Sequence, residues 1–387
     1  MAKYFLIAGE ASGDAHAAAL IRQILQHDSE ASFAGFGGDQ MAKAGCVLFR
    51  HIQHMAFMGF SAVISHWRDI KSNFSIAHES LLREQPDVLI LIDYPSFNLR
   101  MAGFCRKHLP DTRIVYYIPP KVWAWKRRRI HKIARLCDEV LGIFPFEPAF
   151  YQQYGYKCTY VGNPTIEEIS LKLGKQKDKV NHPPVAEKSP ITNSIAILPG
   201  SRTAEISHCL PKMLNAAQHF PEYNIIVCAA PGIDDDFYTP YITRTHATLV
   251  RDTYDVLKNA SAAIVNSGTA TLETALIGCP QVAVYHLAAP HLIGIIRWAQ
   301  PLFFSIKHFT LVNIIAGKEI IKEYIADDFT VANIIVELER LLHDETYKKE
   351  MLASYDHLFS ILGSQPAAPT AAAIITSPLI AKPVNMA

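Results

Sequence analysis

Short runs of buried-type residues recur along the chain, and each is followed by a stretch with helical spacing. The run Lys3–Ala8 predicts a strand, "GEASGD" (9–14) its loop, and Ala19, Leu20, Ile24 and Leu25 a helix over 16–25. The pattern repeats with strands at Val88–Ile92, within 112–120 where a double proline ends it, from 138, and within 157–164. Residues 172–193 are polar, lysine-rich and carry three prolines, so they predict a linker. The alternation restarts with strands near 194–198, 223–229, 262–265 and 281–285. Apolar strands alternating with helices mean parallel sheets covered on both faces. The predicted class is α/β, with two Rossmann-like parallel-sheet domains, 1–171 and 194–355, facing an interdomain cleft. Ligands in such folds sit at the carboxyl ends of the strands. The Ala/Pro/Ser-rich tail 356–387 reads equally as a loosely held helix, a crossover onto the first domain or disorder.

Composition narrows the function. At about 150 residues per domain, 387 residues favour two or three domains. The net charge is 37 − 36 = +1, so global electrostatics give no reason to expect a nucleic-acid partner. Seven widely spaced cysteines with no Cys-x-x-Cys argue against a disulfide framework or a thiolate zinc site and fit a reducing cytoplasm. The 17 histidines show neither His-x-x-x-His nor His-Glu-x-x-His, so no metal is expected. The N-terminal apolar run is too short for a secretory signal core. The long apolar segment 285–306 is interrupted by Pro290, Arg297, Gln300 and Pro301, so it reads as core or interfacial rather than membrane-spanning. A soluble protein that can touch a surface is the expectation.

Candidate chemistry concentrates in two strand-to-helix turns. In "AILPGSRTAEI" (196–206), Gly200 permits close backbone approach, Ser201 can hydrogen-bond, and Arg202 offers a forked donor at a helix start. A diphosphate fits such a turn; so does an ordinary turn with Ser201 as N-cap and Arg202 solvated. In "AIVNSGTATLETAL" (263–276), Ser267, Gly268 and Thr269 again place small donors at a helix start. Glu273 lies one helical turn on, where an acid can accept both ribose hydroxyls or simply answer the helix dipole. Together the turns point to a nucleotide-sugar diphosphate.

Asp93 follows "VLILI", so it stands at the carboxyl edge of a buried strand, as a general base or as an Asx-turn residue before Pro95. Glu10 and Asp14 flank the first loop, either binding hydroxyls or capping the next helix. Neither that loop nor "GFGGDQ" (35–40) has the G-x-G-x-x-G of dinucleotide folds. The segment 121–136 carries Lys121, Lys126, Arg127, Arg128, Arg129, Lys132 and Arg135 with no acid, after Trp123 and Trp125. It suits an anionic headgroup or a solvated helix face. Phe60, Val63, Ile64, Trp67 and Ile70 form one helical stripe, a core stripe or one that dips into lipid.

These motifs occur together, and in this order, in one family. "GEASGD", "MGF" (58–60), "IDYPSFN" (92–98), "VWAW" (122–125), "LPGSR" (198–202), "SGTATLE" (267–273) and "LVNIIAG" (311–317) resemble the bacterial lipid-A-disaccharide synthases over about 1–355. The resemblance implies a GT-B glycosyltransferase that is metal-independent and uses no cofactor. It would condense UDP-2,3-diacylglucosamine with 2,3-diacylglucosamine 1-phosphate to a β-1,6-linked disaccharide phosphate and UDP. It also implies a cytoplasmic enzyme held peripherally on the inner membrane, and it is compatible with a homodimer. By resemblance, Asp93 matches an acid needed for activity. Gly200, Ser201, Arg202, Ser267, Gly268, Thr269, Glu273 and Asn313 match the donor side. Glu10, Ser12, Gly13 and Asp14 match the acceptor-side loop, with Arg127, Arg128 and Arg129 as candidates for the acceptor phosphate. Phe60, Val63, Ile64, Trp67, Trp123 and Trp125 become the expected membrane contacts. The chain departs from the family pattern where many members have an acid at Ser96, often proline at Val312, and often histidine at Asn163. The sister readings are another UDP-sugar enzyme of this fold, such as a 2-epimerase or a MurG-like transferase, and a non-catalytic nucleotide-sugar-binding protein.

Overall fold

Lys3–Ala8, Ser32–Gly37, Val47–His51, Val88–Ile92, Arg113–Tyr117, Glu139–Gly142 and Thr159–Tyr160 form strands β1 to β7. The computed structural model describes residues 2–55, 67–124, 126–172, 193–286 and 308–380. The seven strands lie in the order β3-β2-β1-β4-β5-β6-β7, every pair parallel. Alternate residues of one strand enter different cores, which is why the runs are apolar without a break. Phe5, Ile7, Leu89 and Leu91 pack on one face of the sheet. Tyr4, Leu6, Ala8, Val88, Ile90 and Ile92 pack on the other.

A second parallel sheet consists of β8 (Ser194–Leu198), β9 (Asn224–Cys228), β10 (Thr248–Val250), β11 (Ala262–Asn266), β12 (Gln281–Tyr285) and β13 (Glu323–Ile325). Its order is β10-β9-β8-β11-β12-β13. Both sheets reverse direction between their first and fourth strands, the doubly wound arrangement. The reversal lies between β1 and β4 in one sheet and between β8 and β11 in the other.

Four strands escaped the hydrophobic pattern. β2 reads SFAGFG, and its Gly35 comes so close to β1 that a Cβ would sit 1.9 Å from the Leu6 carbonyl oxygen. β3 and β13 are only half-buried, and β10 has three residues. These are edge or glycine-bearing strands, where the apolar signal is weakest.

The chain forms two compact units. One comprises Met1–Pro164 with Gln365–Ala387, and the other is Thr165–Ser364. The helix Ala367–Ile380 therefore belongs with the first sheet. Ala371, Ala372 and Ile375 enter its core, and Arg113 donates to the Ile375 carbonyl at 2.7 Å. The stretch Glu345–Ser377 is long and apolar enough to cross a membrane by composition. It consists of two helices, Glu345–Leu362 and Ala367–Ile380, in which Tyr355, Leu358, Ala371 and Ile375 are buried. The expected linker 172–193 lies, except for its two ends, outside the described residues.

Candidate active site

In the first unit, the loops after β1 and β4 meet at the switch point. Asp93 and Tyr94 both adopt left-handed backbone, each with φ 44°. Side chains with a Cβ disfavour that region, so the surroundings must hold it. They do. The buried Asn98 amide donates to the Asp93 carbonyl at 2.7 Å and to the Ile92 carbonyl at 3.2 Å. The Tyr116 hydroxyl donates to the same Asp93 oxygen at 2.7 Å, and the Asp93 N–H donates to Ile118. Tyr94 is fixed at both ends. Its hydroxyl donates to the Met55 carbonyl at 2.8 Å, and its ring lies against Gly9 so closely that a Cβ there would sit 2.3 Å from a ring carbon. Burial pushes the Asp93 carboxyl up from its ordinary value, while the Lys121 ammonium and the Tyr94 N–H pull it back down. Water still reaches the side chain, so the desolvation is partial. An acid so placed, rigid in backbone and raised in pKa, suits proton abstraction.

The neighbouring residues divide between surface and scaffold. Ser12 is exposed and Glu10 half-buried at the loop. Gly13 and Asp14 are buried, and here the expected acceptor-side role does not match the geometry. The Asp14 carboxylate accepts from the backbone N–H groups of Gly38 at 2.7 Å, Gln40 at 3.0 Å and Met41 at 3.0 Å. It caps the helix Asp39–Lys43 and is only 3% exposed. Gly13 packs its helix against Ala8 and Ile92. Arg127 and Arg128 are exposed, and Arg129 donates to the Ser96 hydroxyl at 3.4 Å, three residues from Asp93. Arg128, His131, Lys132, Arg135 and Tyr156 line one open groove.

Trp123 corrects a second expectation. It is 5% exposed and packs edge-on against Phe144 and Phe146, so it is a core residue and not a lipid contact. Its indole N–H donates at 3.2 Å to Glu147, a fully buried acid that also accepts from Ile143 and Phe144. Burial pushes the Glu147 carboxyl up to about 7 against those donors and Lys121. Trp67 opens the helix Trp67–Glu84, but its side chain, together with Phe60, Val63, Ile64 and Trp125, lies outside the described residues.

In the second unit, the two predicted turns follow β8 and β11, the strands flanking its switch point. The helix Thr203–Ala217 has Arg202 as its N-cap residue, without a side-chain cap, so Ser201 is not the N-cap. Gly200 has φ 122°, and a Cβ there would meet the Asn266 amide nitrogen at 2.7 Å and the Glu205 carboxylate at 2.8 Å. Asn266 ends β11, so the two turns are brought side by side, and only glycine leaves room between them. Glu205 reaches back to accept the Ser201 N–H at 3.1 Å and the Arg202 guanidinium at 2.7 Å. The helix Thr269–Ile277 also starts without a side-chain cap, at exposed Gly268 and Thr269. Ser267 donates its N–H to Val284, and Glu273 accepts from the Tyr254 hydroxyl at 3.4 Å. Two helix starts whose N-cap residues add no side-chain cap, with a guanidinium at the first, make a setting for a phosphate.

Asn313, expected on the donor side, is fully buried and engaged within its own loop. Its oxygen accepts from Ile320 and Ile321, and its nitrogen donates to the Ile321 carbonyl and to Glu323. Glu323 also takes the N–H groups of Phe309 and Thr310. The asparagine therefore ties the helix Leu311–Ala316 to β13. Among the described residues, no group of three or more His, Cys, Asp or Glu side chains could hold a metal ion.

Both sheets have the doubly wound strand order, and solved structures share the architecture. A UDP-GlcNAc 2-epimerase from Neisseria meningitidis bound to UDP-GlcNAc aligns with TM-score 0.57 at 12% identity, covering 98% of this chain and 100% of the other. The calicheamicin glycosyltransferase CalG4 aligns with TM-score 0.58 at 12% identity, covering 99% of each chain. At such identity the likeness concerns the fold. Sequence relatives decide the family. The family model described as lipid-A-disaccharide synthetase matches residues 4–370. The lipid-A-disaccharide synthase of Geobacter sulfurreducens is 32% identical over 370 residues, covering 94% of this chain and 93% of that protein. That of Syntrophus aciditrophicus is 34% identical over 386 residues, covering 97% of each. The chain belongs to the lipid-A-disaccharide synthase family.

Proposed function

We propose that the protein is an inverting glycosyltransferase that joins UDP-2,3-diacylglucosamine to 2,3-diacylglucosamine 1-phosphate, releasing UDP. The support is family membership together with two observations, one in each unit: an acid in enforced left-handed backbone follows β4, and an arginine–amide turn follows β8. Asp93 takes the proton of the acceptor 6-hydroxyl as that oxygen attacks the anomeric carbon. Its raised pKa makes it a stronger base than an ordinary carboxylate. The bond to UDP breaks on the opposite face, and negative charge grows on the leaving diphosphate. Arg202 and the helix starts at Thr203 and Thr269 answer that charge, with Ser267 and Thr269 as further donors. Glu273, steadied by Tyr254, takes the ribose hydroxyls. Arg129, beside Ser96, takes the acceptor phosphate, with exposed Arg127 and Arg128 as further cations. Glu10 and Ser12 border the acceptor sugar. Acylated substrates require work at a membrane surface, and the cations of Arg128, Lys132 and Arg135 suit the anionic leaflet.

The test is UDP release by purified protein from UDP-2,3-diacylglucosamine, with and without the monosaccharide 1-phosphate, for wild type and Asp93→Ala. Acceptor-dependent release that falls about 100-fold or more in the variant is the expected result, since general-base catalysis is worth about 10²–10⁴. Release that ignores the acceptor would indicate an epimerase-like reaction and refute transfer. Undiminished activity in the variant would remove Asp93 as the base. Sedimentation with anionic vesicles checks the surface claim, and protein that stays in the supernatant at low salt counts against it.

A further inference from the structure

The turn assigned to the donor diphosphate already holds an anion. The Glu205 carboxylate accepts the Ser201 N–H at 3.1 Å and the Arg202 guanidinium at 2.7 Å. These are the two groups that the turn would offer to a phosphate oxygen. The carboxylate is packed into the turn rather than waving beside it. One of its oxygens lies 2.8 Å from where a Gly200 Cβ would stand, and its own Cβ lies 2.9 Å from that point. The Asn266 amide nitrogen closes on the same point at 2.7 Å from the neighbouring turn. Glu205 is half-buried, at 26% side-chain exposure, whereas Arg202 is exposed at 57% and can turn to another partner.

We propose that Glu205 is a built-in competitor for the diphosphate, resting on the donor-site reading above. In the free protein it holds Arg202 and the Ser201 N–H; a bound diphosphate takes both, and Glu205 recovers them when UDP leaves. Its charge also lies against that of the diphosphate. Glu205 is thus a positioning residue that weakens nucleotide binding and hastens product release. An ordinary capping role predicts the opposite sign: removing a cap loosens the helix start and weakens the ligand with it.

The decisive measurement is the UDP dissociation constant by titration calorimetry for wild type, Glu205→Gln, Arg202→Ala and the double variant. Glutamine keeps the length and an oxygen for the Ser201 N–H but removes the charge. Glu205→Gln should bind UDP roughly three- to tenfold more tightly, as suits loss of a half-exposed ion pair and one like charge. That gain should shrink when Arg202 is absent, and kcat should fall where UDP release limits turnover. Equal or weaker UDP binding by Glu205→Gln, with Arg202→Ala weakened, overturns the inference and leaves the donor turn standing. UDP binding that Arg202→Ala does not change, or its absence in wild type, overturns the donor-site reading and this inference with it. If the glutamine variant does not accumulate, Glu205→Asp serves, since it is one methylene too short to hold Arg202. Tighter UDP binding is again the supporting result, and unchanged or weaker binding the opposing one.

Discussion

Asp93 sits at φ 44°, where a residue with a Cβ is strained by roughly 1–2 kcal/mol and glycine is not. Comparing Asp93→Gly with Asp93→Ala isolates that strain, because both lose the carboxylate and only one keeps a Cβ. Glycine also frees the unfolded chain, which takes back about 0.4–1 kcal/mol. The net expectation is a glycine variant more stable than the alanine variant by about 0.5–1 kcal/mol. That corresponds to a thermal midpoint higher by about 1–4 °C for a unit of this size. Both variants should lose acceptor-dependent UDP release by about 10²-fold or more. The strain is tolerated because Asn98 and Tyr116 both donate to the Asp93 carbonyl at 2.7 Å. Asp93→Asn, which suits left-handed backbone, should keep near-wild-type stability without activity. Scanning calorimetry and the UDP-release assay on the three variants suffice. A glycine variant no more stable than the alanine variant refutes the stored strain, and an active asparagine variant refutes the base.

Four further outcomes are expected. The acid limb of kcat/KM should lie above the ordinary carboxylate value of 3.8, because a base must be deprotonated and burial raises Asp93; Lys121→Met should move the limb to higher pH, and a limb that stays fixed would remove Lys121 from its surroundings. Glu147, raised to about 7 in the folded chain from 4.5, binds its proton more tightly when folded, so its contribution to stability is complete below about 4.5 and is lost as pH rises to about 7. Urea titrations of wild type against Glu147→Gln should show that loss as a falling difference across this window, and a flat difference refutes it. Gly200→Ala forces a Cβ onto Asn266 and Glu205, so UDP affinity should fall at least about tenfold as judged by calorimetry, well over 1 kcal/mol. Asn313→Ala strands the N–H groups of Ile320 and Ile321 and should cost about 2–4 kcal/mol of stability while the folded fraction binds UDP as wild type does; unchanged unfolding by urea would refute its structural role.

Much of this was legible in the chain itself. The strands Lys3–Ala8, Val88–Ile92, Ser194–Leu198 and Gln281–Tyr285 begin and end where the apolar runs do, because a strand covered on both faces must be apolar throughout. The glycine and small-residue turns at 199–202 and 267–269 were equally plain, since few residue types allow such close backbone approach. Glu205, three residues after Arg202, carried a readable signal in its helical spacing, although its occupation of the turn did not. The tertiary structure alone decided which polar residues face a ligand and which are held inside. Asp14 and Asn313 were expected at the site, but backbone N–H groups outside their own helices, of Gly38, Gln40 and Met41 and of Ile320 and Ile321, claim their side chains. Trp123 beside a basic run looks like a membrane anchor until Glu147, 24 residues on, takes its N–H in the core. The left-handed backbone of Asp93 depends on Tyr116 from the adjacent strand. Local pattern fixes what a segment can become because propensity and periodicity act over a few residues. The partner of a polar group comes from elsewhere in the chain, and only folding brings it within hydrogen-bond reach.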